Sequence, residues 1–130
     1  MKFVSFKHNN VEKFGIIENN LITDLTGKID GASSLKELIK IKKIKEAKEY
    51  VKSYPGSIKT DEIEYLPLIP NPGKIICVGL NYIEHAKETN RTVEENPVIF
   101  HRFPESQTAH MQAIQRPTVS ESLDFEGEMA

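Results

Sequence analysis

Apolar and polar positions alternate through the first quarter of the chain. Lys2 to Phe6 has that alternation, Lys13 to Ile17 carries Phe14, Ile16 and Ile17, and Leu21 to Leu25 follows the pair Asn19-Asn20. Three short strands joined by turns are predicted, because a period of two places one apolar face against a core. The period then changes. Ser34 followed by Glu37 reads as a capping box, and Leu35, Leu38 and Ile39 start an apolar helical side. Ile41, Ile44, Ala47 and Val51 continue it, so one helix or two extend to about Tyr50 or Val51, closed by Pro55-Gly56.

Ile63 to Leu66 is a further strand candidate, after which Pro67, Pro70 and Pro72 form a stiff connector. A boundary is expected there, giving a small unit over 1–70 and a second over 71–130. Lys74 to Gly79 (KIICVG) is a buried-strand candidate running into a tight turn and a helix, with Asn81 as cap and Glu84 returning the contact. Such a turn brings the helix start to the end of a sheet, a frequent place for a site. Val98 to Phe100 is a short strand, Glu105 to Gln115 a polar loop, and Val119 to Met129 extended again. The fold class is α+β.

Composition narrows the options. Of 130 residues, 38% are hydrophobic and 28% charged, with a formal net charge of −2, which suits a globular chain and not a nucleic-acid binder. The apolar run from Ile75 to Leu80 is far too short to span a bilayer, and the N-terminus lacks the pattern of a signal peptide. A cytoplasmic location is the expectation. The single cysteine, Cys77, lies in an apolar run and reads as a buried thiol outside any disulfide framework. Seven lysines and three interspersed glutamates between Lys36 and Lys52 read as a solvated helix face. No phosphate loop or dinucleotide fingerprint is present.

Two constellations carry chemistry. Asp124, Glu126 and Glu128 alternate with Leu123, Phe125, Gly127 and Met129, so the three acids share one side of an extended segment. An outward acidic row is one reading. The other is a hard-cation site for Mg²⁺, Mn²⁺ or Ca²⁺, which would offset the mutual repulsion of the carboxylates. His85 and Glu88, three apart on the predicted helix, share a face. They read either as a surface pair or as a pair that orients and activates a water.

Gly79-Leu80-Asn81-Tyr82-Ile83-Glu84-His85-Ala86-Lys87-Glu88, Pro97-Val98-Ile99-Phe100, Arg116-Pro117 and Leu123 to Ala130 together, in order and spacing, resemble the fumarylacetoacetate hydrolase family. The resemblance covers Lys74 to Ala130; Met1 to Tyr65 looks like the variable small domain that precedes the core in relatives. It implies a small N-terminal α/β unit followed by the start of a mixed, β-rich catalytic core. It assigns Glu126 and Glu128 as metal ligands for Mg²⁺ or Mn²⁺, with Ca²⁺ as a further option, and Asp124 as their neighbour. It assigns His85 and Glu88 as the catalytic pair, and Tyr82, Arg102 and His110 as substrate contacts.

The implied function is metal-dependent hydrolysis of a C–C bond in a small 1,3-dicarbonyl or acylpyruvate-type acid. Isomerisation, hydration or decarboxylation of 2-oxo acids on the same site is the alternative, since all share an enolate. The resemblance also implies a homodimer, with neither nucleic acid nor membrane as partner. Relatives carry a third ligand, an aspartate, some tens of residues beyond the matched glutamates. A fragment of a longer enzyme is therefore expected here, with an inactive remnant or interaction protein as the competing reading.

Overall fold

The computed structural model describes residues 1–92 and 95–123. It is an α+β fold. Strands β1 (Lys2–His8), β2 (Val11–Glu18) and β3 (Leu21–Asp24) form an antiparallel meander. Each hairpin turns on two asparagines with positive φ, Asn9 and Asn10 (51° and 62°) and Asn19 and Asn20 (50° and 63°). Two consecutive left-handed residues make the turn whose twist matches that of paired strands, and asparagine tolerates that region better than other non-glycine residues. The first of these turns carries the same signal as the second.

Helices α1 (Leu35–Lys40) and α2 (Ile44–Ser53) follow, so the apolar pattern is two helices and not one. The Ser34 hydroxyl accepts from the Glu37 amide, as the capping box predicts, while the Glu37 carboxylate reaches back to the amide and hydroxyl of Ser33. Between the helices Lys42 takes φ 60°, and the Lys42 and Lys43 amides donate to Ile39 and Leu38. This is a Schellman ending built on lysine where glycine is usual, which is why the composition does not announce the break.

Two short strands complete the first sheet. β4 (Ile58–Lys59) pairs with β3, and β5 (Glu64–Tyr65) pairs with β1, giving the order β4-β3-β2-β1-β5. The Ile63–Leu66 candidate is thus real but shorter, and β4 has no counterpart in the sequence pattern. Phe14, Ile16, Leu25, Leu35, Leu38, Ala47 and Val51 pack as one core; Val4, Phe6 and Ile22 form another with Ile17, Ile58 and Tyr65. In the register Ser5 faces Phe14 and Val4 faces Gly15, so the two clusters lie on opposite sides of the sheet.

A second, two-stranded sheet consists of β6 (Ile75–Gly79) and β7 (Val98–Arg102), antiparallel, with α3 (Ile83–Glu88) between them in sequence. The expectation that KIICVG is buried does not hold. Ile76 is 63% exposed, every residue of β7 is exposed, and Cys77 is half-buried. The physical reason is that apolar side chains alternate onto both faces of a two-stranded ribbon, and here the face of Ile75 and Cys77 is only partly covered while that of Ile76 and Val78 is open. Val119–Leu123 holds a turn and no strand, while the remainder of the extended candidate lies outside the described residues. No helix among the described residues is long and apolar enough to cross a membrane.

Asp24 ends β3 and ties it to β2. Its carboxylate accepts from the Lys13 ammonium at 2.6 Å and from the Thr26 amide at 2.8 Å, while the Thr26 hydroxyl accepts from the Phe14 amide. Burial pushes the Asp24 carboxyl up, but the bonds from Lys13 and Thr26 outweigh it and hold the carboxyl below its ordinary value of 3.8. A depressed folded value gives stability above the unfolded value that is lost as pH falls through the folded one. Asp24→Asn is therefore expected to cost about 1 kcal/mol at neutral pH. Urea unfolding at pH 7 and at progressively lower pH checks this: the deficit should shrink below the ordinary carboxylate range, and a deficit independent of pH would be the wrong result.

Candidate functional site

The site is built where β6 leaves its ladder. Gly79 pairs with Val98, and Leu80 then takes φ 53°, a left-handed conformation unusual for a branched apolar residue. That single residue turns the chain so that α3 starts three positions later. Tyr82, not Asn81, is the N-cap, with φ −121° and ψ 128° and no side-chain cap bond. The reason is the turn itself: with Leu80 left-handed, the first helical amide bond runs from Ala86 to the Tyr82 carbonyl, one residue later than an Asn81 cap requires. The helix ends on Asn90 at φ 52°, with the Asn90 and Arg91 amides donating to Lys87 and Ala86, and the Thr89 hydroxyl donating to the His85 carbonyl at 3.0 Å. Ala86 is buried and anchors the helix.

His85 and Glu88 do share a face. The His85 Nδ1 lies 3.9 Å from the Glu88 Oε2, with the imidazole about two-thirds buried and the carboxylate largely exposed. That distance exceeds a direct hydrogen bond and leaves room for a small rotamer change or an intervening water. Lys87 and Glu84 form the neighbouring ion pair at 3.5 Å.

Beside the turn lies a cleft of about 240 Å³ lined by Val78, Gly79, Leu80, Asn81, Glu95 and Asn96, with Pro97 and Val98 closing it. Asn81, Glu95 and Asn96 are its polar groups. Neither Glu95 nor Asn96 stands out in the sequence, although the Glu-Asn-Pro step just before β7 is a turn signal at the matching end of the ribbon.

The other expected site residues are more widely spread. Tyr82 is part of the turn and 41% exposed. Arg102 is opposite Ile75, at the far end of the ribbon from Gly79 and Val98, about 13 Å away at the usual rise per strand residue. His110 packs edge-on against Tyr65 of the first sheet, with ring centroids 4.9 Å apart. Asp124, Glu126 and Glu128 lie outside the described residues. Among the described residues no three His, Cys, Asp or Glu side chains are grouped to hold a metal ion.

Comparison with known proteins identifies the context of this geometry. Residues 74–130 match the family model described as fumarylacetoacetate hydrolase, C-terminal. The match covers the segment that carries β6, α3, β7 and the acidic residues, and it is that part of the chain that resembles the fumarylacetoacetate hydrolase family. The mitochondrial oxaloacetate tautomerase fahd2 of Xenopus laevis is 37% identical over 84 residues, which are 65% of this chain and 26% of that protein. The human mitochondrial oxaloacetate tautomerase FAHD2A is 36% identical over 69 residues, 53% of this chain and 22% of that protein. The chain thus spans about a quarter of the length of the curated relatives it matches. A crystal structure from Mycobacterium smegmatis superposes with a TM-score of 0.66 at 19% identity, over 90% of this chain and 41% of the other, and shows the fold alone.

These relatives correct one expectation. The expectation of a hydrolase does not stand, because the two relatives above are named as oxaloacetate tautomerases. The physical reason is that tautomerisation and C–C hydrolysis of a dicarbonyl acid can pass through the same kind of enolate, so a resemblance at that level does not fix which bond changes.

Leu80 gives a test of the turn. Leu80→Ile keeps the volume but puts a β-branched side chain at positive φ and should lower stability by about 1–2 kcal/mol. Leu80→Asn, better suited to that region, should cost less despite losing apolar contact. Thermal melts of the two variants decide it; equal losses would show that the turn does not hold Leu80 left-handed.

Proposed function

We propose that this chain carries part of a tautomerase site that interconverts the enol and ketone forms of a small 2-oxo dicarboxylic acid of the oxaloacetate type. The observation that carries the reading is the pairing of His85 and Glu88 on one face of α3, the helix that follows the cleft-lining residues Leu80 and Asn81. The names of the relatives support it.

Tautomerisation moves one proton off the carbon beside a carbonyl and delivers one to the carbonyl oxygen. No bond of the carbon skeleton breaks. An enzyme therefore needs a group that holds a proton near that carbon, a means of fixing the substrate, and protection from bulk water. The His85 imidazole is the proton carrier in this reading, and Glu88 orients the ring through its Nδ1 side. Arg102 stands about 13 Å along the ribbon from the turn, and in this reading its long side chain brings the planar guanidinium to the far carboxylate of the substrate. The Tyr82 hydroxyl and the Asn81 amide can donate to substrate oxygens at the turn, whereas His110, held against Tyr65 on the first sheet, has no part in this reading.

Glu126 and Glu128, with Asp124 beside them, are hard oxygen donors of a kind that fits Mg²⁺ or Mn²⁺, and also Ca²⁺. They would hold the cation, which when bound supplies Lewis-acid polarisation of the 2-oxo group.

The test is kinetic. With oxaloacetate as substrate, decay of the enol absorbance should be accelerated by the purified protein in Mg²⁺ or Mn²⁺ and return to the uncatalysed rate on chelation. His85→Ala should lower kcat by about a hundredfold or more, with Glu88→Gln intermediate. Unchanged kcat in His85→Ala would remove the imidazole from the reaction.

A further inference from the structure

The loop that follows Arg102 does not stand free. After the short 3₁₀ turn Pro104–Ser106 it crosses to the first sheet and lies along β5. The Gln107 side-chain amide donates to the Ile69 carbonyl at 3.4 Å and to the Pro104 carbonyl at 3.3 Å. Ala109 is 5% exposed, and His110 meets the Tyr65 ring edge-on. The most heavily used group is Gln112. Its Nε2 donates to the Tyr65 carbonyl at 3.2 Å and to the Glu64 carboxylate at 3.4 Å, and its Oε1 accepts from the Ala109 amide at 3.2 Å. The Gln112 amide also donates to the Ala109 carbonyl at 3.1 Å, closing the turn on itself.

These partners fix which way round the amide stands. Reversed, its oxygen would face the Tyr65 carbonyl and the Glu64 carboxylate, two acceptors with nothing to donate. Gln112 is thus a two-sided connector. One side organises the loop turn and the other fastens it to an edge strand. An edge strand presents unpaired backbone carbonyls, and here one of them is taken by a side chain of the loop.

We infer that Gln112 is a positioning residue: it clamps the strap 107–112 onto β5, so that the first sheet sets the place of the chain leaving Arg102. Arg102 then lies between two fixed points of the chain, its own pairing with Ile75 and the strap that begins five residues later. The clamp stands on geometry. Its effect on substrate rests on the tautomerase reading, in which Arg102 binds a carboxylate.

Gln112→Glu is the informative change. The carboxylate keeps an acceptor for the Ala109 amide but turns the donor side into an acceptor facing Glu64 and the Tyr65 carbonyl. Hydrogen exchange in the full chain should show the Ala109 and Gln107 amides exchanging about tenfold faster, with the β1–β2 hairpin unchanged. Adding Glu64→Gln returns a donor opposite the new carboxylate and should recover much of that protection. Unchanged exchange in Gln112→Glu, or exchange that rises equally in the β1–β2 hairpin, would overturn the clamp. In turnover, KM for oxaloacetate should rise several-fold with kcat within about twofold, because Arg102 would hold ground and transition states alike. Loosened exchange with KM unmoved would overturn the link to Arg102. A wild-type protein without turnover would instead remove the tautomerase reading, and the exchange comparison would still decide the clamp.

Discussion

Two pairs of left-handed asparagines fold the first quarter of this chain onto itself, and the rest of the structure depends on that folding. Because each pair turns the strands with their natural twist, β1 pairs with β2 along its whole length, from Lys2 opposite Ile17 to His8 opposite Val11. The register puts Phe14 and Ile16 on the side that the two helices cover, and Val4 and Ile22 on the other. A shift of one residue would exchange the two faces and leave neither with a core. With the register fixed, β1 offers an edge to β5, and β5 in turn receives the strap from the second half of the chain.

The ribbon of β6 and β7 is a different kind of element. It has the apolar content of a strand pair buried on both sides, but among the described residues it is covered only in part, with Ile99 and Phe100 about half exposed. Its ladder gives direction more than stability. It aims Gly79 and Val98 at the turn that launches α3, and puts Arg102 at the opposite end. The candidate catalytic pair therefore depends on a helix of six residues, anchored through Ala86 and ended by Asn90. Such a helix draws its order from its surroundings, since so short a segment is not stable alone.

Much of this was legible in the sequence because the chemistry was local. Alternation marked the meander, Ser34 and Glu37 marked the start of α1, and the i, i+3 spacing put His85 and Glu88 on one face. What escaped was decided by backbone conformation or by distant partners. Lys42 ends α1 in a conformation that glycine usually signals, and Leu80 delays the helix start from Asn81 to Tyr82. The buried character expected of KIICVG reflected composition, which cannot say what lies on either side of a strand. The strap was out of reach for the same reason, since Gln112 and Glu64 are 48 residues apart.

A tautomerase site on this chain is tested most directly by following oxaloacetate in D₂O by proton NMR, with the purified protein and Mn²⁺-free Mg²⁺ buffer. Rapid loss of the C3 proton signal to deuterium, with the four-carbon skeleton intact and at a rate that depends on protein concentration, is the predicted result. Exchange no faster than in buffer, or conversion to shorter acids as the dominant outcome, would contradict it.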